Sequence, residues 1–177
     1  MALSIKPYIE NKERIHLIGI GGVSMSALGE LLLSLGVPVS GSDRLKTDVT
    51  ARLESLGAKI IYEHKAENVA GASLIVRTAA VHDDNPEIVR AHELGIPVME
   101  RAEAWGHLMR DYDNVVCLAG THGKTTSTSM MTLMTMEAGL DPTVMVVSNL
   151  PAIGGTLRIC RKGCFVAQSC EYCNTFL

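Results

Sequence analysis

A chain of 177 residues holds one domain comfortably and a second only if that one is small. Its composition, 47% hydrophobic, 20% charged and poor in aromatics, is that of a soluble globular protein, and no apolar run is long enough to span a bilayer. A net charge of −3 with no basic run gives no electrostatic reason to expect a nucleic-acid partner.

The first fifteen residues include Lys6, Glu10, Lys12 and Glu13 and read as neither signal peptide nor membrane anchor, so a cytoplasmic protein is expected. Residues 14–20 (RIHLIGI) read as a first strand. It runs into Gly19-Ile20-Gly21-Gly22-Val23-Ser24 and a helix through Ala27, Leu28, Leu31, Leu32 and Leu35 that Gly36 stops. A second strand, 37–40, closes on Gly41-Ser42-Asp43. Strand, glycine turn, helix and an acid after the next strand form a nucleotide-binding βαβ unit, with Asp43 placed to meet a ribose. The G-x-G-x-x-G pattern fails at its last position, where Ser24 stands, and a tight turn that binds nothing is the competing reading.

The alternation continues with a helix over 49–56 ended by Gly57 and a strand over 58–62. His64 follows that strand end, within reach of a ligand. Residues 73–78 (SLIVRT) form another strand, delivering Thr78-Ala79-Ala80 to the edge where open parallel sheets bind ligands. Pro86 opens a helix to His92 that Gly95 terminates; a strand over 96–99 and a helix over 101–110 follow. Residues 111–114 (DYDN) read as a polar linker. The expected architecture is α/β: a Rossmann-like parallel-sheet domain over 1–111, then the beginning of a phosphate-loop α/β domain over 112–177.

The second unit opens on a buried strand, 115–119, that feeds Gly120-Thr121-His122-Gly123-Lys124-Thr125-Thr126. A helix then carries Met130, Met131, Leu133, Met134 and Ala138 to a stop at Gly139. Glycines let backbone N–H groups curl around a phosphate, and a helix N-terminus adds partial positive charge. Lys124 would reach the β- and γ-phosphates of a nucleotide, the Thr125 hydroxyl would ligate Mg²⁺, and His122 is the histidine best placed to touch the nucleotide. The full G-x-x-x-x-G-K-[ST] pattern needs glycine at 118, where this chain has Leu118, so an ordinary Gly/Thr-rich turn competes with this reading. Cys160, Cys164, Cys170 and Cys173 are spaced C-x3-C-x5-C-x2-C, which matches no common zinc pattern; with Cys117 they read as small buried residues flanking strands. His16 reads as packed within the first strand, and His82, His92 and His107 as surface or helix-face residues.

Two nucleotide signatures in one short chain, HLIGIGGVSMSALGELLLSLGVPVSGSD (16–43) and AGTHGKTT (119–126), resemble the Mur ligase family, in its alanine-adding branch. RTAAVHDDNPEI (77–88), PVMERAEAWGHLMR (97–110) and VAQSCEYCNTF (166–176) extend the resemblance over nearly the whole chain. It implies ATP-dependent ligation of L-alanine to UDP-N-acetylmuramate through an acyl phosphate, in peptidoglycan precursor synthesis. It also implies that Gly19, Gly21, Gly22, Ser24 and Asp43 line the UDP site, with His64, Thr78, Ala79, Ala80 and Arg101 near the UDP or muramoyl group. Lys124 would neutralise charge on the transferring phosphoryl group. Where the family carries a metal-binding glutamate, this chain has Gln168, an uncharged ligand; Glu171 could substitute, although three places along a strand put it on the opposite face.

Members of the family are more than twice as long, so the chain is expected to lack the alanine pocket and to be inactive alone. The Met-rich helix would then expose apolar surface, leaving residues past about 112 partly disordered, packed on a neighbour or prone to aggregate. A ligase that recycles peptides onto UDP-N-acetylmuramate and a non-catalytic dinucleotide-binding module are the other readings, the second opposed by Ser24. Oligomeric state is left open.

Overall fold

The computed structural model describes residues 3–160 and 163–168. It divides into two compact units, Met1–Trp105 and Gly106–Leu177.

The first unit opens with a short helix, α1 (Lys6–Glu10), absent from the sequence-based expectation. It continues β1 (Ile15–Ile18), α2 (Val23–Ser34), β2 (Val39–Ser42), α3 (Asp48–Ser55) and β3 (Lys59–Ile61). A 3₁₀ turn (Ala66–Val69) precedes β4 (Leu74–Arg77), α4 (Pro86–Glu93), β5 (Val98–Glu100) and α5 (Arg101–Met109). All five strands are parallel, in the order β3-β2-β1-β4-β5. Every residue of β1 and β2 is buried, as expected for central strands sandwiched by crossover helices. On one side Ile18 and Ile75 pack with Val69, Ile88 and Ala91. Gly41 in β2 is a packing necessity, because a Cβ there would lie 2.7 Å from the Leu17 carbonyl oxygen.

From β1 to α5 the helices and strands fall where the sequence places them, with the strand starts one or two residues later. β2 begins at Val39 rather than 37, and β5 at Val98 rather than 96. The cause is a shared helix ending. Gly36 and Gly95 take positive φ, and the next residue donates its N–H back to the carbonyl five positions earlier: Val37 to Leu32, Ile96 to Ala91. Ala58 to Leu53 and Leu140 to Thr135 repeat the closure after Gly57 and Gly139. The residue after each stop glycine therefore still belongs to the helix end.

The second unit contains β6 (Asn114–Leu118), α6 (Lys124–Glu137), β7 (Thr143–Leu150), β8 (Gly155–Arg158) and β9 (Cys164–Gln168). Its sheet order is β6-β9-β7-β8; β6, β9 and β7 run parallel, and β8 is antiparallel to β7. Phe165 of β9 is buried and meets Tyr112 edge to face, ring centroids 4.9 Å apart. The strand before the loop over residues 120–126 is therefore paired within the chain by β9, and β6, expected to be buried, is exposed along much of its length. Cys164 is buried in β9 as expected, but Cys117 is exposed in β6, a correction to its assignment as a buried residue; Cys170 and Cys173 lie outside the described residues.

Helix α6 is turned differently from its hydrophobic pattern. Its buried positions are Thr128, Thr132 and Thr135, while Met130 (59% exposed), Leu133 and Met134 (63%) face outward. Each buried threonine donates its hydroxyl to a carbonyl four residues back, Lys124, Thr128 and Met131, at 2.8 Å. The hydroxyls are thereby satisfied and their methyl groups are left for packing.

Candidate functional site

In the first unit the strand order reverses between β1 and β4, which opens a crevice at the carboxyl ends of those two strands. Two loops border it. The glycine turn follows β1, with Gly19 at φ +79°, and the Thr78-Ala79-Ala80 turn follows β4. They approach each other closely: a Cβ on Gly19 would lie 3.8 Å from the Thr78 methyl. Gly22 is exposed and caps α2, whose N-terminus faces this edge; Ser24 lies in its first turn. The Ser24 carbonyl accepts a 3.2 Å hydrogen bond from the indole of fully buried Trp105 in α5, which pins the start of α2. Arg101 opens α5 directly after β5, on the same edge of the sheet. Turn, helix N-terminus and apolar loop make a cradle suited to a diphosphate.

Asp43 has a job in the resting structure. Its Oδ2 accepts the Gly21 N–H at 2.8 Å, and its Oδ1 accepts the N–H groups of Arg44 (2.7 Å) and Leu45 (3.2 Å). The carboxylate ties the end of β2 to the glycine turn. A Cβ on Gly21 would sit 2.8 Å from Oδ2, so any larger residue there must displace the carboxylate.

Beside the crevice lies a buried polar cluster centred on Glu87, which the sequence reading missed. Glu87 is fully buried, and each carboxylate oxygen meets two polar partners. Oε1 accepts from Asn68 Nδ2 (2.7 Å) and faces His16 Nε2 (3.3 Å); Oε2 accepts from the Ser42 hydroxyl (2.7 Å) and faces His64 Nδ1 (2.8 Å). His16, in β1, is packed as expected and also meets Ser40 Oγ through Nδ1 at 2.9 Å. Burial alone would raise the Glu87 carboxyl, but the hydrogen bonds from His16, Ser42, Asn68 and His64 outweigh it and hold the group below its ordinary value. The sequence hides this role because Asn85-Pro86-Glu87 is fully explained as a helix start. Asn85 does cap the Glu87 N–H at 2.9 Å, and a first-turn acid needs no further reason.

The second unit builds its loop on the carboxyl edge of β6. Gly120 (φ +150°) and Gly123 (φ +75°) turn the chain, and the first helical bond of α6 runs from Ser127 N–H to the Gly123 carbonyl. The amides of residues 124–126 therefore precede the helical ladder. Thr121, His122, Gly123 and Thr126 are exposed, and the Lys124 ammonium folds back on the Gly120 carbonyl. Gln168 ends β9 directly opposite Leu118, the last residue of β6. Its Oε1 accepts from the Thr125 hydroxyl at 3.2 Å and from the Val147 N–H at 3.4 Å. The two residues expected to hold metal are thus adjacent, and a hydroxyl beside an amide oxygen at a helix N-terminus is an all-oxygen donor set that fits Mg²⁺. Glu171 lies outside the described residues.

Residues 14–113 match the family model described as Mur ligase family, catalytic domain. The UDP-N-acetylmuramate–L-alanine ligase of Acetivibrio thermocellus is 49% identical over 165 residues, 93% of this chain and 35% of that protein. Among solved structures, the UDP-N-acetylmuramate–alanine ligase of Thermotoga maritima superposes with a TM-score of 0.76 at 34% identity, covering 88% of this chain and 36% of that one. The UDP-N-acetylmuramate:L-alanyl-γ-D-glutamyl-meso-diaminopimelate ligase of Neisseria meningitides gives a TM-score of 0.84 at 25% identity, covering 90% and 53%. The chain spans about a third of the length of the curated relatives it matches.

Proposed function

Since the chain belongs to the Mur ligase family, we propose that it carries the sugar-nucleotide and phosphate-loop portions of an ATP-dependent ligase that joins L-alanine to UDP-N-acetylmuramate in peptidoglycan precursor synthesis. The observation that carries this reading is the pairing of two cradles, a glycine turn at a switch point and a lysine-threonine loop backed by Gln168, in a chain 49% identical to a named alanine ligase. Residues 1–111 are assigned to the sugar nucleotide and 112–177 to the start of the ATP domain.

In this reading the glycine turn and the N-terminus of α2 hold the diphosphate, and Asp43 keeps the turn closed beside the ribose. The Thr78–Ala80 turn, His64 and Arg101 border the sugar. Lys124 exchanges its Gly120 carbonyl for phosphate oxygens and offsets their charge, as Thr125 and Gln168 offer oxygens to the metal. ATP supplies the phosphoryl group that converts the muramoyl carboxylate into an acyl phosphate with a good leaving group, for capture by the amine of L-alanine. Because Gln168 brings no charge, metal and ATP binding by this loop are expected to be weak.

Calorimetric titration tests the assignment. Binding of UDP-N-acetylmuramate with feeble Mg-ATP binding supports it; a folded chain that ignores the sugar nucleotide overturns it. The muropeptide-recycling ligase is the second reading, favoured by the TM-score of 0.84 to the Neisseria enzyme. It shares the sugar nucleotide and is separated by whether L-alanine or the tripeptide is consumed by the whole ligase.

A further inference from the structure

Strand β4 is apolar until its last residue, Arg77, whose side chain is mostly sheltered at 22% exposed. The guanidinium meets three acceptors at the carboxyl edge of the sheet. Nη1 donates to the Val81 carbonyl at 3.3 Å and to the Asp83 carboxylate, while Nε lies 3.3 Å from Glu100 Oε1. Glu100 stands directly across from Arg77 in the register of β4 and β5. Its own N–H donates to Glu103 Oε2 at 3.1 Å, which ties the end of β5 to the start of α5, where Arg101 sits. Val81 is the partner that decides the shape of the loop. Its N–H donates to the Thr78 carbonyl at 3.0 Å and its carbonyl accepts from Arg77, so both of its backbone polar groups close the turn. Ala79 and Ala80 between them are exposed and have only methyl side chains, so they cannot fix it.

We propose that Arg77 is a positioning residue, which bolts the Thr78–Val81 turn to the ends of β4 and β5 and so sets one wall of the crevice for the sugar nucleotide. This rests on the sugar-nucleotide reading above and adds to it a residue that acts through the turn. A guanidinium is planar and its donors leave in fixed directions, so one arginine holds three acceptors in one arrangement where a lysine cannot. The arrangement suits a loop better than a core. Asp83 is 81% exposed, and an ion pair to so exposed a carboxylate contributes little to global stability. The turn it anchors, in contrast, faces the glycine turn across a narrow gap, with the Thr78 methyl 3.8 Å from where a Gly19 Cβ would lie. A turn without its bolt has to be ordered when ligand binds, and that ordering is subtracted from affinity.

Amide hydrogen exchange and calorimetric titration with UDP-N-acetylmuramate test this together. In Arg77→Met the Val81 amide should exchange about ten times faster, while the Ile75 amide, bonded to the Pro97 carbonyl, keeps its protection. Affinity for the sugar nucleotide should fall about ten-fold. Arg77→Lys keeps the charge and loses the fork, and its affinity should fall nearly as far. Asp83→Asn leaves β4 untouched, should lose about three-fold, and decides the matter if the arginine variants do not fold. Added to Arg77→Met, the same change should cost nothing more, because the bond it weakens is already gone. Full affinity in Arg77→Met overturns the proposal. So does full affinity in Arg77→Lys, which would leave charge alone as the cause. Equal losses of protection at Ile75 and Val81 would make Arg77 a residue of the fold and overturn it as well. If the unmodified chain binds no sugar nucleotide, the reading beneath falls and takes the proposal with it; if it binds and the variants bind equally well, the proposal falls alone.

Discussion

Gly21 and Glu87 show how much of the first unit depends on single side chains. A methyl group at position 21 would meet Asp43 Oδ2 at 2.8 Å, the atom that accepts the Gly21 N–H. Gly21→Ala must push the carboxylate off the turn, at a cost of about 1–3 kcal/mol in stability and on the order of ten-fold in sugar-nucleotide affinity. Denaturant melts and calorimetry of the variant check both figures. For Glu87 the sign of the pH effect is fixed by its depressed carboxyl. A folded-state value below the ordinary 4.5 means that the hydrogen bonds contribute stability above that pH, and that the contribution disappears as the pH falls through the lower folded value. Glu87→Gln should be less stable at neutral pH and lose less on acidification than the unmodified chain. Chemical denaturation at pH 7 and at pH 4 would show the two curves converging.

At the scale of elements, helix α6 inverts the usual expectation. Thr128, Thr132 and Thr135 face inward while Met130 and Met134 face out, and of its methionines Met131 packs on the core. Thr132→Val keeps the shape and removes a hydroxyl that only back-bonds to Thr128, so stability should change by less than about 1 kcal/mol in either direction. Replacing Met130 and Met134 with lysine should leave the melting temperature within the scatter of surface substitutions and reduce light scattering on concentration. This helix also marks the limit of what the sequence reveals. Stops at Gly36, Gly57, Gly95 and Gly139, and strands rich in Ile and Val, are legible because each is decided locally. Which face of α6 is covered is decided by β7 and β9, and the methionine-threonine pattern gives no local signal for it. The same holds for the site. The two glycine loops can be read from spacing, and His64 from its place after a strand. The Glu87 cluster joins β1, β2, the 3₁₀ turn and α4 across residues 16 to 87, and no spacing rule links them.

At the scale of the whole molecule, the described residues of the first unit include a core around Ile18, Ile75 and Ile88, and those of the second a core around Val144, Cys164 and Val166. Ligand should therefore stabilise them unequally. At a hundred times its dissociation constant UDP-N-acetylmuramate would add about 2.7 kcal/mol to the first unit, a rise on the order of 10 °C in its transition, and leave the second unchanged. Calorimetric scans with and without the sugar nucleotide would resolve this, and equal shifts of both transitions would contradict the assignment of the ligand to the first unit. The order β6-β9-β7-β8 has a further consequence for how the protein is made. The strand that joins β6 to β7 is the last of the five elements to leave the ribosome. Until residues 164–168 emerge, a nascent chain carries a phosphate loop on a strand with no neighbour and a β7–β8 hairpin with one edge bare. The loop over residues 120–126 therefore gains a paired strand behind it only once residues 164–168 have been made.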